Sequence, residues 1–225
     1  MIKEVSVLAL GLAMALPSAF ATPTLSISLQ EDAVAAMTAT SATGFVSISN
    51  VSYHDFQINT VQGSGTPLLA TPDLDLQTLN ISSANLTTSH TLKIMLTETG
   101  ITGVPNPETF MNSFEGILRG VTIETISSYT DPSNAAFGMA NLLSTVTFTS
   151  QGSNAFNQIA TAPTNSPYSE TEIISATFAP TVNNPDSLNS SAVISSAVPE
   201  PTSLALLGGG LLGVSFLRRR SRKKN

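Results

Sequence analysis

The sequence predicts an all-β fold, an antiparallel β-sandwich, with an apolar segment at each terminus. Three observations carry that expectation. Apolar and polar residues largely alternate with period two over seven stretches rich in Val, Ile and Thr, at residues 25–29, 45–49, 74–81, 92–96, 121–126, 146–149 and 173–178, as strands with one buried face do. Turn and breaker residues separate them at strand spacing: Gly63 and Gly65, Gly100, Asn106-Pro107, Asp131-Pro132, Gly152, Ser166-Pro167 and Asn184-Pro185. The chain has no cysteine, so its stability must come from a packed core. Seven to ten antiparallel strands in two sheets satisfy all three.

Taken in order, the N-terminus offers Lys3, an apolar run over residues 5–16, Pro17 and then Ala19-Phe20-Ala21. A short apolar region ending in an Ala-x-Ala pattern reads as a secretory signal helix over residues 1–21, with Ala19 and Ala21 setting cleavage before Thr22. An exported β-domain is expected over 22–182. Two helices are expected inside it, at 31–38, where Ala33, Val34 and Met37 fall at helical spacing, and at 135–143. The Ser- and Asn-rich segment 183–198 reads as a short final strand at 192–194 within a linker to the membrane.

The C-terminal segment begins with Pro199, Glu200 and Pro201, continues through the uncharged run 202–217 and ends in Arg218, Arg219, Arg220, Arg222, Lys223 and Lys224. Only a helix lets such a run cross lipid with its peptide groups satisfied. Its 16 residues span about 24 Å at 1.5 Å each, a little under a usual core of roughly 30 Å, and the adjoining bases snorkel to extend it. Six bases hold that end in the cytoplasm and leave the β-domain outside. Pro199 and Pro201 make the segment before the helix stiff and extended, a shape that a processing enzyme can bind. The same features also suit a plain membrane anchor.

On these residues the chain resembles proteins with the PEP-CTERM sorting signal of Gram-negative bacteria: Val198-Pro199-Glu200-Pro201, a glycine-bearing apolar helix with Ser203 to Gly208, and an Arg-rich end. The resemblance covers residues 198–225. It implies recognition of Pro199, Glu200 and Pro201 and cleavage by an exosortase-like membrane enzyme, transient anchoring in the inner membrane, and delivery to the cell surface or extracellular matrix. It further implies a role beside exopolysaccharide, in biofilm or floc formation. Pro72-Asp-Leu-Asp-Leu76, Leu96-Thr-Glu-Thr-Gly100, Ser127-Ser-Tyr-Thr-Asp131 and Tyr168-Ser-Glu-Thr171 are similar to stretches of other short PEP-CTERM proteins, which supports a shared β-domain rather than an activity.

Charge excludes one class of function. The formal net charge is −6, but residues 22–199 carry only Lys93 and Arg119 against thirteen acids, about −11, so no basic patch exists for nucleic acid. Catalysis has few candidates. The two histidines, His54 and His90, lack a Gly-x-Ser-x-Gly elbow, and Tyr53, Asp55 and Gln57 are expected on one strand face with His54 and Phe56 on the other. Asp73 with Asp75, and Glu170 with Glu172, lie two apart on strand faces, where a solvated acidic surface is expected. The same pairs could hold Ca²⁺, but no full calcium loop surrounds them. The expectation is a non-enzymatic surface domain with no cofactor and no metal. Its rival is a carbohydrate-binding module, for which Tyr53, Tyr129 and Tyr168 are the tyrosines available to stack on sugar rings and tryptophan is absent.

Overall fold

The computed structural model describes residues 22–83, 86–180 and 186–197. Twelve strands follow in order: β1 (Thr24–Glu31), β2 (Met37–Ser41), β3 (Phe45–Tyr53), β4 (Phe56–Ser64), β5 (Leu74–Ser83), β6 (His90–Ile101), β7 (Glu108–Arg119), β8 (Val121–Asp131), β9 (Asn141–Phe148), β10 (Gly152–Ala162), β11 (Tyr168–Phe178) and β12 (Ser187–Ser196). They form two six-stranded sheets, β2-β1-β6-β11-β8-β9 and β10-β7-β12-β5-β4-β3. Every neighbouring pair is antiparallel. No helix occurs among the described residues, and none there is long and apolar enough to cross a membrane.

The period-two pattern is what closes the two sheets on one another. In the first sheet Leu25, Ile27 and Leu29 of β1, Leu92, Ile94 and Leu96 of β6, and Ile174, Ala176 and Phe178 of β11 are buried. In the second, Phe110, Phe114 and Leu118 of β7, Leu188, Ala192 and Ile194 of β12, and Leu74 and Leu76 of β5 belong to the same apolar cluster. Phe56 of β4 meets Phe178 edge to face across the sheets at 4.9 Å. Each fully buried Leu, Ile or Phe among them contributes about 1.5–3 kcal/mol of transfer free energy.

Five expectations are corrected, the first being the strand number, which is twelve and not seven to ten. Residues 31–38 form no helix: β1 ends at Glu31, Asp32 takes φ 44° in a tight turn, and β2 folds back onto β1. Residues 135–143 form a loop entering β9, with Asn134 and Phe137 at φ 58° and 56°. Alanine-rich helical spacing lost in both places to hairpin closure, because the strands on either side have long partners and an isolated short helix has none. The segment 187–196 is not a linker but strand β12, lying between β7 and β5. Its serines obscured it: Ser187, Asn189, Ser191 and Ser195 alternate with Leu188, Ser190, Ala192 and Ile194, and the latter row faces the core. His54 and Asp55 lie in no strand. They form the turn between β3 and β4, His54 has φ 49°, and Tyr53 and Phe56 are paired and both buried.

Candidate functional site

Ala19, Ala21, Pro199, Glu200, Pro201 and the six C-terminal bases lie outside the described residues. The structure does describe where the tail leaves the domain. Ala197 N donates to Thr109 O at 2.8 Å, Ser196 N donates to Asp73 Oδ1 at 3.3 Å, and Ser196 Oγ donates to Glu108 Oε1 at 2.7 Å. The tail therefore starts from a strand hydrogen-bonded on both sides, held up to its last residue.

That exit lies at an end of the sandwich lined by acids. Glu98, Glu108 and Glu170 are all buried there. Tyr168 donates its hydroxyl to Glu170 Oε1 at 2.8 Å, and Thr66 N donates to both oxygens of Glu98 at 3.1 and 3.3 Å. Glu172 and Glu124 continue the inward row, both 0% exposed. Ser190 Oγ donates to Glu124 Oε1, while Glu124 Oε2 and Glu170 Oε2 have no partner among the described residues, and Glu172 has only the more distant approach of the Leu76 and Ile194 backbone. Burial pushes Glu98 and Glu124 up to about 7, against the opposing hydrogen bonds from Thr66 and Ser190. It drives Glu170 and Glu172 well above the usual carboxylate range, and neighbouring acids push the same way. Tyr168 is raised as well, by burial and then by Glu170. Such groups favour the neutral acid, because a carboxylate in this interior would have neither water nor a cation.

The expected solvated acidic face is thus overturned for Glu170 and Glu172. They do share one strand face, but it is the inner one. The signal was in the sequence: Glu98 keeps the parity of Leu92, Ile94 and Leu96, Glu124 that of Ile126, and Glu170 and Glu172 that of Ile174 and Ala176. Two glycines make room for these acids. A Cβ on Gly65 would strike the Glu98 carboxylate and one on Gly116 that of Glu124.

At a second place the fold gathers residues far apart in sequence. His90, the first residue of β6, turns Nδ1 toward Asp32 Oδ2 at 2.9 Å and Glu31 Oε1 at 3.1 Å, and Nε2 toward Thr88 Oγ1 at 2.9 Å and Asp55 Oδ2 at 3.8 Å. Backbone groups hold the acids: Asp55 N donates to Glu31 Oε2 at 3.2 Å, and Thr91 N to Asp32 Oδ1 at 2.9 Å. Hydroxyl, imidazole and carboxylate stand here in the order of a nucleophilic triad. The nearby N–H groups of Asp55 and Thr91, however, are spent on the acids, not aimed where an oxyanion would form beside Thr88.

The outer face of the second sheet carries a groove of about 560 Å³ across β5, β12, β7 and β10, with Gln77, Glu115, Asn154, Asn189 and Ser191 in its lining. Amide and hydroxyl side chains punctuate a surface that is otherwise mostly apolar, and none of its lining residues is aromatic.

No curated protein matches the chain. Similar solved structures include TmCBM61 in complex with β-1,4-galactotriose, 7% identical over 66% of this chain and 86% of that one with a TM-score of 0.34. Others are the K1 cleaved adhesin domain of Lys-gingipain from Porphyromonas gingivalis W83, at 12% identity, 68% and 99% coverage and TM-score 0.31, and a carbohydrate-binding module of Cellvibrio mixtus lichenase 5A in complex with cellotriose, at 8%, 67%, 97% and 0.28. The family model of the PEP-CTERM protein-sorting motif matches residues 197–221, beginning at the residue that follows β12. Over that stretch, and over that stretch alone, the chain is similar to the PEP-CTERM proteins.

Proposed function

We propose that this chain is an exported surface protein whose C-terminal segment is read and cut by an exosortase-like enzyme, after which the β-domain remains at the cell surface or in the extracellular matrix. The match of residues 197–221 to the PEP-CTERM sorting motif carries the reading. In it, residues 1–21 are the signal peptide, cleaved after Ala21. Pro199, Glu200 and Pro201 are the recognition element, 202–217 the membrane helix, and Arg218, Arg219, Arg220, Arg222, Lys223 and Lys224 its cytoplasmic stop. The β-domain acts without catalysis, beside exopolysaccharide. Since β12 runs to Ser196, Pro199 is only three residues further on, a reach of about 10 Å at most. The enzyme then works directly against the acid-lined end of the domain.

Glu200→Ala tests this in the native host, because it leaves the apolar run and the bases intact. Membrane insertion should be unchanged while release stops and the full-length form accumulates. Release equal to wild type would leave only the plain anchor.

A second reading, carbohydrate binding, is favoured by the amide and hydroxyl side chains in the groove over β5, β12, β7 and β10. Hydrogen bonds without ring stacking give modest affinity. On a glycan array, binding that Asn189→Ala and Gln77→Ala both weaken would establish it, and binding indifferent to both would place the sugar elsewhere or exclude it.

A further inference from the structure

We propose that Glu31, Asp55 and His90 form a divalent-metal site that ties the two sheets together at one end of the sandwich. The site is independent of the sorting signal and of the groove. The three residues each place a ligand atom within 4.8 Å of the other two. They come from separate segments: Glu31 ends β1 and His90 opens β6 in the first sheet, whereas Asp55 lies in the β3–β4 turn of the second.

Charge is the first reason for a cation. One imidazole stands among three carboxylates, those of Glu31, Asp32 and Asp55, and all ion pairs among the described residues run through this ring. Neither Lys93 nor Arg119 joins them. Even a protonated imidazole leaves the group at −2, with Glu31 only 3% exposed.

Support of the ligands is the second reason. Metal-binding histidines usually donate their other ring N–H to a carboxylate, which fixes the tautomer and aims the free nitrogen. Asp32 is placed for that role: Thr91 N pins its Oδ1 and its Oδ2 faces His90 Nδ1 at 2.9 Å. Nε2 is then the ligand nitrogen, with Asp55 Oδ2 3.8 Å away, near the roughly 3.4 Å edge of a tetrahedron with 2.1 Å bonds. Thr88 Oγ1 is hydrogen-bonded to Nε2 at 2.9 Å, a contact that an ion on Nε2 replaces. Glu31 Oε1 stands 3.1 Å from Nδ1 and its Oε2 is held by Asp55 N, so Glu31 reaches an ion on Nε2 by rotation of its side chain. Asp55 is half exposed, so its side chain closes on an ion without disturbing the core.

One imidazole nitrogen and two carboxylates suit Zn²⁺ or Mn²⁺ better than Ca²⁺, which takes oxygen ligands. With ligands in both sheets the ion would act as a clip, binding the folded state and not the unfolded one.

The test uses the full chain without a histidine tag, in detergent, stripped with chelator and titrated with Zn²⁺ and with Mn²⁺. One equivalent should bind and the thermal midpoint should rise. Asp55→Asn, an exposed change that leaves the fold intact, and His90→Gln should each weaken binding at least tenfold and abolish the rise. Asp32→Asn should weaken binding less and shift its pH dependence, which a merely structural hydrogen bond would not do. No stoichiometric binding of either ion, or binding and midpoint shifts unchanged by Asp55→Asn and His90→Gln, overturns the proposal. Tighter binding of Ca²⁺ than of Zn²⁺ overturns the imidazole's part in it.

Discussion

Glycine and glutamate work as pairs in this interior. Gly116 of β7 leaves the space that the Glu124 carboxylate of β8 fills, and Ser190 of β12 donates to the same group. A methyl group at Gly116 must push that carboxylate off its only partner. Gly116→Ala is therefore expected to destabilise the domain by about 1–3 kcal/mol, the usual cost of overpacking, read as a lower urea midpoint. Combining it with Glu124→Ala should cost less than the sum of the two changes, because the collision is gone. Additive costs would mean that the two do not touch. Glu172 has no close hydrogen bond among the described residues, only the looser approach of the Leu76 and Ile194 backbone, and an apolar side chain of similar size in such a place is neutral or better. Glu172→Leu should raise the urea midpoint at pH 8.5 more than at pH 5, since at pH 5 the native acid is already neutral. An equal change at both pH values would show that Glu172 does not titrate with folding.

At the level of elements, β12 decides how tail and domain are joined. It supplies Leu188, Ala192 and Ile194 to the core and pairs with β7 and β5 along its length. Without it two long strands would face each other unpaired, and exposed edges of that kind associate. A chain ending at residue 186 should fail to fold and should aggregate, measured by sedimentation and by loss of cooperative unfolding. A linker would have been dispensable, so a soluble, cooperatively folding truncation would return 187–196 to that role. The strands β7 and β10 were hard to read from sequence for related reasons. The inward row of β7 includes Glu108, Asn112 and Gly116 among Phe110, Phe114 and Leu118. β10 is an edge strand largely exposed on both faces, so burial imposes no alternation on it.

For the whole molecule, buried acids without cations make stability depend on pH in an unusual direction. Glu98 and Glu124 have folded values near 7 against an ordinary 4.5. A group raised on folding contributes fully below its unfolded value and loses that contribution as pH climbs through the folded one. For each of these two the loss is on the order of 3 kcal/mol, and Glu170 and Glu172 act in the same sense. The urea midpoint of the full chain should fall between pH 5 and pH 8.5. A midpoint that is flat or rises over that window would mean that these carboxyl groups reach water or a cation.

What the sequence determined by itself was local or terminal. Alternation at 25–29, 92–96 and 173–178 marked strands and their inward rows, because a strand exposes its side chains to two faces in turn whatever it pairs with. Pro199, Glu200 and Pro201, with Arg218 to Arg220, lie in the stretch that matches the sorting motif, a pattern of consecutive residues that needs no tertiary contact to be legible. Tertiary structure decided the rest. Parity alone puts Glu170 and Glu172 on one face, but only the second sheet, closing over β11, makes that face the interior. Only the antiparallel closure of β1 on β6 and of β3 on β4 carries Glu31, Asp55 and His90 to one point. Burial and convergence depend on contacts between residues distant in the chain, and a local pattern does not contain them.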